Sequence, residues 1–131
     1  TIDRNFPTYI IHDVKDIAAG YYHSLYLLKN GTALSAGRNK EGQLGDGRSA
    51  QRTKPVAVLH GVKEVFAGAY HSVFLMEDNS VWTTGSNTYG QLGDGGSASR
   101  TSPQKVFENA QSIRVGDYYT LFVQYDPVTE E

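Results

Sequence analysis

The chain has 131 residues, with 12 Lys and Arg against 14 Asp and Glu, and a formal charge of −2. That balance offers no basic stripe for a nucleic-acid backbone, and the absence of cysteine rules out disulfides and thiolate-held metals. No run approaches the roughly 18–20 apolar residues of a membrane-spanning helix, while 14 glycines and nine tyrosines favour a turn-rich, all-β protein.

The sequence repeats with an offset of 48 residues, and about 22 of 48 aligned positions are identical without a gap. A fixed period of this length signals stacked supersecondary units. Residues 1–13 align with the end of a unit: Arg4 falls on Arg52 and Arg100, and Pro7 on Pro55 and Pro103. They are expected to form the last strand of a preceding blade, with Pro7 to Ile11 as the strand and Pro at its start, where a missing N–H is tolerated. The chain begins at Thr1 without a basic-then-apolar leader. No signal peptide is expected there, and a processed or excised chain is.

Residues 14–61 form the first full repeat. Lys15 to Ala19 is a strand that ends at Gly20. Tyr22 to Leu28 is a denser strand, with Leu25 and Leu27 on one face and Ser24, Tyr26 and Leu28 on the other. Apolar residues on both faces predict a strand covered on both sides. Asn30-Gly31 predicts a two-residue hairpin turn, followed by a return strand over Thr32 to Gly37. A Gly-rich loop from Arg38 to Arg52 leads into a fourth strand, Lys54 to Leu59. Residues 62–109 repeat the plan, with Asp78-Asn79 in the hairpin turn. Residues 110–125 supply the first two strands of a third unit, and residues 126–131 are a tail. Four short strands per period predict an all-β fold of β-propeller blades, here a partial propeller with two full blades and pieces of others.

Several motifs recur at the offset: Gly42-Gln43-Leu44-Gly45-Asp46-Gly47 with Gly90-Gln91-Leu92-Gly93-Asp94-Gly95, Tyr22-His23-Ser24 with Tyr70-His71-Ser72, and Arg52-Thr53-x-Pro55 with Arg100-Thr101-x-Pro103. A strand ending in Ala-Gly, then Tyr-His-Ser, then Gly-x-Asn-x-x-Gly-Gln-Leu-Gly-x-Gly and Arg-Thr-x-Pro, resembles the regulator-of-chromosome-condensation repeat in its bacterial form. The resemblance covers nearly all of the chain. It implies a propeller, most often of seven blades, and does not fix a function. Family members include a chromatin-bound exchange factor for a small nuclear GTPase, ubiquitin-ligase subunits and a secreted bacterial inhibitor of β-lactamase. Exchange activity in that family uses an inserted β-wedge and basic tails, neither of which this sequence shows.

No residue set points to catalysis, and no enzyme activity, cofactor or metal site is expected. The Gly-Gln-Leu-Gly loops lack the helix start and Lys-Ser/Thr of a phosphate cradle, and one carboxylate per loop is too few for calcium. Gly42, Gln43, Leu44, Gly45 and their partners Gly90, Gln91, Leu92, Gly93 are expected to be structural, with Leu44 and Leu92 plugging the next blade. His23 and His71 lie on different blades without further ligands and are expected to be buried and hydrogen-bonded. Ser24 and Ser72 follow them directly, so Ser and His point to opposite faces of a strand. Asn30-Gly31-Thr32 matches the glycosylation sequon, but the hairpin accounts for the same letters. Tyr21, Tyr89, Tyr118 and Tyr119 are candidate interaction residues; the alternative is that they fill space between blades. The expected function is that of a protein-binding or assembly module whose partner is a protein: a second copy in a homo-oligomer, or the remainder of a larger propeller. The alternative is a fragment of a guanine-nucleotide exchange factor for a small GTPase. No membrane or nucleic-acid partner is expected, and the sequence leaves the compartment open.

Overall fold

The structure, a computed structural model, describes residues 11–96 and 98–124; the expected strand from Pro7 lies almost wholly outside them, as does the tail over residues 126–131. Among the described residues there is no helix. The first sheet is β1 (Val14–Ala19), β2 (His23–Leu28), β3 (Ala33–Gly37) and β4 (Arg52–Leu59), in that order and all antiparallel. The second is β5 (Val62–Ala67), β6 (His71–Met76), β7 (Val81–Gly85) and β8 (Arg100–Phe107), and a third pairs β9 (Ala110–Gly116) with β10 (Tyr119–Gln124). Matching bulges at Val14/Asp16 and Val62/Glu64 show that the register repeats along with the sequence. Antiparallel succession puts the β1–β2 and β3–β4 loops at one end of each blade and the β2–β3 turn at the other.

The hairpin turns have three residues rather than two. Leu28 N donates to Thr32 O at 2.9 Å and Gly31 N to Leu28 O at 3.0 Å, so Lys29, Asn30 and Gly31 make the loop, with positive φ only at Gly31. In the second blade Met76 N donates to Ser80 O and Asn79, at φ 68°, takes the same place. This is a type I turn closed by a left-handed residue, a form Asn-Gly serves as well as the two-residue turn.

Blade stacking makes the core. Leu25, Leu27 and Ala33 of the first blade meet Val62, Val65 and Phe74 of the second. The opposite face of the second blade, with Val73, Leu75 and Val81, meets Ala110 and Ile113, and Phe107 stacks on Phe122 at 4.7 Å. Strand β6 is therefore buried on both faces: Phe74 points toward the first blade, and Val73 and Leu75 toward the third unit. Its counterpart β2 differs from the two-sided expectation. His23, Leu25 and Leu27 are buried, but Ser24, Tyr26 and Leu28 are only half-buried, because no described element covers that face. The outer strands β4 and β8 are more polar and carry Pro55 and Pro103 where the ladder register is irregular, so neither proline removes a paired N–H.

Candidate interaction surface at the loop end of the blades

The long β3–β4 loop is folded by one buried amide. Asn39, 1% exposed, donates through Nδ2 to Asp46 Oδ1 (3.0 Å), Arg48 O (2.8 Å) and Ala50 O (3.1 Å), and accepts from Leu44 N at 3.0 Å. Asn87 makes the equivalent set with Asp94, Gly96, Ala98 and Leu92. Burial raises the Asp46 carboxyl, but Arg52 at 2.9 Å, the Arg48 N–H and the Asn39 amide outweigh it and hold the group below its usual range. The sharp turns need backbone that side chains resist: Gly45 and Gly93 have φ of 76° and 73°. A Cβ on Gly93 would press on the Phe122 ring of the third unit. Leu44 and Leu92 are fully buried.

Each loop is fastened to the blade that follows it. Ser72 Oγ of the second blade donates to Gln43 O at 2.6 Å, Thr84 Oγ1 to Gly42 O at 2.8 Å, and Gly47 N to Thr101 O at 2.8 Å. One step on, Thr120 Oγ1 donates to Gln91 O at 2.7 Å. The serine of Tyr-His-Ser is thus an inter-blade latch, a role that sequence reasoning missed. The preceding histidine covers a glycine: a Cβ at Gly20 or Gly68 would collide with the rings of His23 or His71, and at Gly116 with Tyr119, which stands in the histidine position. His71 Nε2 lies 3.1 Å from Thr120 Oγ1, whose proton goes to Gln91, so His71 is the donor and its Nε2 carries hydrogen. His23 departs from the expected hydrogen-bonded histidine, because neither of its buried ring nitrogens has a partner in hydrogen-bond geometry. The hydroxyl at the matching position, Ser72, is committed to Gln43. Burial lowers both histidines to about 4, helped at His71 by the neighbouring His23. Among the described residues, no group of three or more His, Cys, Asp or Glu is placed to hold a metal ion.

The β1–β2 loops of successive blades are joined by main-chain bonds, Tyr21 N to Ala69 O at 3.2 Å and Ala69 N to Asp117 O at 3.0 Å. This alignment lays out a row of rings. Tyr22 and Tyr70 are 6.3 Å apart, Tyr70 and Tyr118 are 6.5 Å apart, and Tyr21 packs on Tyr70 at 5.6 Å. Tyr89 meets Tyr118 edge-on at 5.2 Å. Tyr21 OH donates to Asp117 Oδ2 at 2.9 Å, and this bond holds the phenol above its ordinary pKa. Of the four tyrosines singled out from sequence, Tyr21, Tyr89 and Tyr118 come together here, whereas Tyr119 stands apart over Gly116. All four are exposed, from 42% at Tyr118 to 71% at Tyr89. Tyr22 and Tyr70 belong to the row and were missed, although their 48-residue spacing to Tyr118 was a usable signal.

Two outcomes are expected. Replacing Asn87 with Ala leaves the buried Leu92 N–H without its acceptor and should cost about 1–3 kcal/mol in urea unfolding, whereas an exposed change such as Lys54→Ala should cost under about 0.5 kcal/mol. For the histidines, the folded values of about 4 lie below the ordinary 6.5. The unfolded chain therefore binds more protons between those limits. Stability is full above pH 6.5 and falls as pH drops toward 4, by up to about 3 kcal/mol per histidine. In calorimetry at stepped pH, His71→Gln should flatten that slope relative to the parent, while loss from Asp46 and Asp94 begins as pH falls into the ordinary carboxylate range and continues below it.

Comparison with known proteins accords with this geometry. Two models described as "Regulator of chromosome condensation (RCC1) repeat" match the chain, one over residues 14–43 and 62–91, the other over 30–75 and 78–123. No curated protein sequence matches it. Among solved structures, yeast RCC1 (Prp20) bound to Kap60 is 28% identical over 92% of this chain and 29% of that one, with a TM-score of 0.73. Human WBSCR16 is 26% identical over 86% of this chain and 32% of its own, with a TM-score of 0.74. A second structure of Prp20p from Saccharomyces cerevisiae, whose binding to Gsp1p and histones was studied, shares the fold at 22% identity and a TM-score of 0.73, and covers 94% of this chain and 33% of that one. The chain spans about a third of the length of these proteins. By its repeats, its blades and the two matching family models, the chain belongs to the regulator of chromosome condensation (RCC1) repeat family.

Proposed function

We propose that the chain is a protein-binding and assembly module with no catalysis of its own, and that it acts through the loop end of its blades. The observation that carries this is the row of Tyr21, Tyr22, Tyr70, Tyr118 and Tyr89: contiguous aromatic rings, several of them more than half exposed, on a rigid stack of sheets. Tyrosine supplies large contact area at low entropic cost and is enriched at binding hot spots. A photo-crosslinking residue placed at Tyr89 should trap a discrete protein from extracts of the source cells. The same residue at Lys63, near the opposite end, should not, and Tyr21→Ala with Tyr118→Ala should abolish the adduct. Equal trapping from both ends, or trapping indifferent to the tyrosines, refutes the assignment. The alternative, a piece of a guanine-nucleotide exchange factor, is supported by the 28% identity to yeast RCC1. It requires the chain to accelerate nucleotide release from a small GTPase, which a binding module does not do.

The assembly part rests on the sheet faces. Ile17, 60% exposed, stands where Val65 and Ile113 are buried against the preceding blade. Leu121 and Val123, 56% and 51% exposed, stand where Val73 and Leu75 are buried against the following one. These surfaces fit further blades, from a second copy or from the remainder of a larger propeller, and a head-to-tail contact of this kind closes as a ring or runs on. Light scattering after size exclusion should find the isolated chain associated at micromolar concentration, and Leu121→Lys with Val123→Lys should reduce its mass. A monodisperse, folded monomer overturns this part.

A further inference from the structure

The row of tyrosines contains the same gap twice. Tyr22 and Tyr70 are 6.3 Å apart and inclined at 36°, and Tyr70 and Tyr118 are 6.5 Å apart and inclined at 38°. At the mouth of the first gap the guanidinium of Arg38 lies over both rings, 5.5 Å from the Tyr22 centroid and 5.7 Å from that of Tyr70. Glu41 holds it there through Nε and Nη2, both at 3.1 Å, and Gln43 Nε2 in turn donates to Glu41 Oε1 at 3.2 Å. In the second gap the repeat places Ser86 where Arg38 was and Tyr89 where Glu41 was. Ser86 turns to the Thr88 hydroxyl, and Tyr89 packs edge-on against Tyr118. Gln91, 1% exposed, keeps the bond from Tyr89 N to its Oε1 but has no acceptor for Nε2, the atom whose counterpart reaches Glu41. A carboxylate lies close by: Asp117 adjoins Tyr118 and binds the Tyr21 hydroxyl, and the Tyr21 ring rests on Tyr70.

Resting on the reading of the loop end as a protein-binding surface, we propose that the gap between Tyr70 and Tyr118, walled by Tyr89 and flanked by Asp117, receives an arginine side chain from a protein partner. The first gap shows the kind of group that two rings so spaced hold at their mouth. A guanidinium is planar and weakly hydrated, and it stacks on aromatic faces as the compact ammonium of lysine does not. The ring faces attract a cation, Asp117 adds a full negative charge, and the chain as a whole is at −2.

The test is a titration of the full chain with acetyl-Gly-Arg-Gly-amide, followed by the ring proton shifts of the tyrosines. The citrulline peptide, of the same shape without charge, is the control. The arginine peptide should give saturable shifts at Tyr70, Tyr118 and Tyr89, and citrulline should bind about tenfold more weakly or not at all. Ser86→Arg restores the residue of the first gap and should fill the second from within, removing the shifts. Tyr118→Leu, at an exposed position, should weaken binding about tenfold without disturbing the fold, and keeps the test valid if Ser86→Arg fails to fold. Equal binding of both peptides, or binding unchanged in Tyr118→Leu, overturns the proposal. If the partner trapped at Tyr89 is still held by the Ser86→Arg chain, the arginine pocket fails while the binding module stands. If the tyrosine substitutions spare trapping altogether, the wider reading fails.

Discussion

The blade interfaces depend on the buried amide of Asn39 and its repeat partner Asn87. Three carbonyl or carboxylate oxygens accept from one NH2 group, and the amide oxygen on the other side accepts from Leu44 N. A donor nitrogen has only two hydrogens, so at least one of these bonds is shared, and the geometry holds because the amide is out of water. Once the loop is closed this way, the carbonyls of Gly42 and Gln43 face the next blade, where Thr84 and Ser72 take them. The clamp is local, but its output is the contact between one sheet and the next. The apolar core between blades then packs beneath a rim at which these loop carbonyls are already paired.

Much of this was legible in the sequence because the repeat converts one observation into several. Gly-Gln-Leu-Gly-Asp-Gly at two positions pointed to a loop whose glycines serve geometry, and the positive φ values of Gly45 and Gly93 are of that kind. The four-strand blade followed from turn spacing alone. The hairpins were harder, because Asn-Gly fits both a two-residue turn and the left-handed closing position of a three-residue one. Strand β2 also misled: its sequence carries apolar groups on both faces, but whether a face is covered depends on what stands beside it, which no local pattern encodes.

The candidate surface was half legible for a related reason. Tyr22 and Tyr70 sit inside the Tyr-His-Ser signature, and a residue that recurs is easily assigned to architecture. The same recurrence also stacks them into a row at the loop end. Departures from the repeat carried more information than its conserved letters. Where Arg38 becomes Ser86 and Glu41 becomes Tyr89, an ion pair over two rings gives way to open aromatic surface. His23 is a departure of another sort. It keeps its letter but lacks the bond that His71 makes to Thr120, although Ser72 opposite it bonds Gln43 just as Thr120 bonds Gln91.

The main-chain bonds that tie Tyr21 to Ala69 and Ala69 to Asp117 have a consequence for how such a surface changes over time. Ala69 contributes both its N–H and its C=O and its two neighbours one group each, so these links are made by main chain alone, with the Tyr21–Asp117 side-chain bond added beside them. The three positions accordingly hold an aromatic, a methyl and a carboxylate with no change in the backbone they share. Substitution can change what this end of the stack presents, position by position, without breaking the main-chain bonds that align the loops. The frame is thus set by the backbone, and the chemistry it displays by the side chains placed on it.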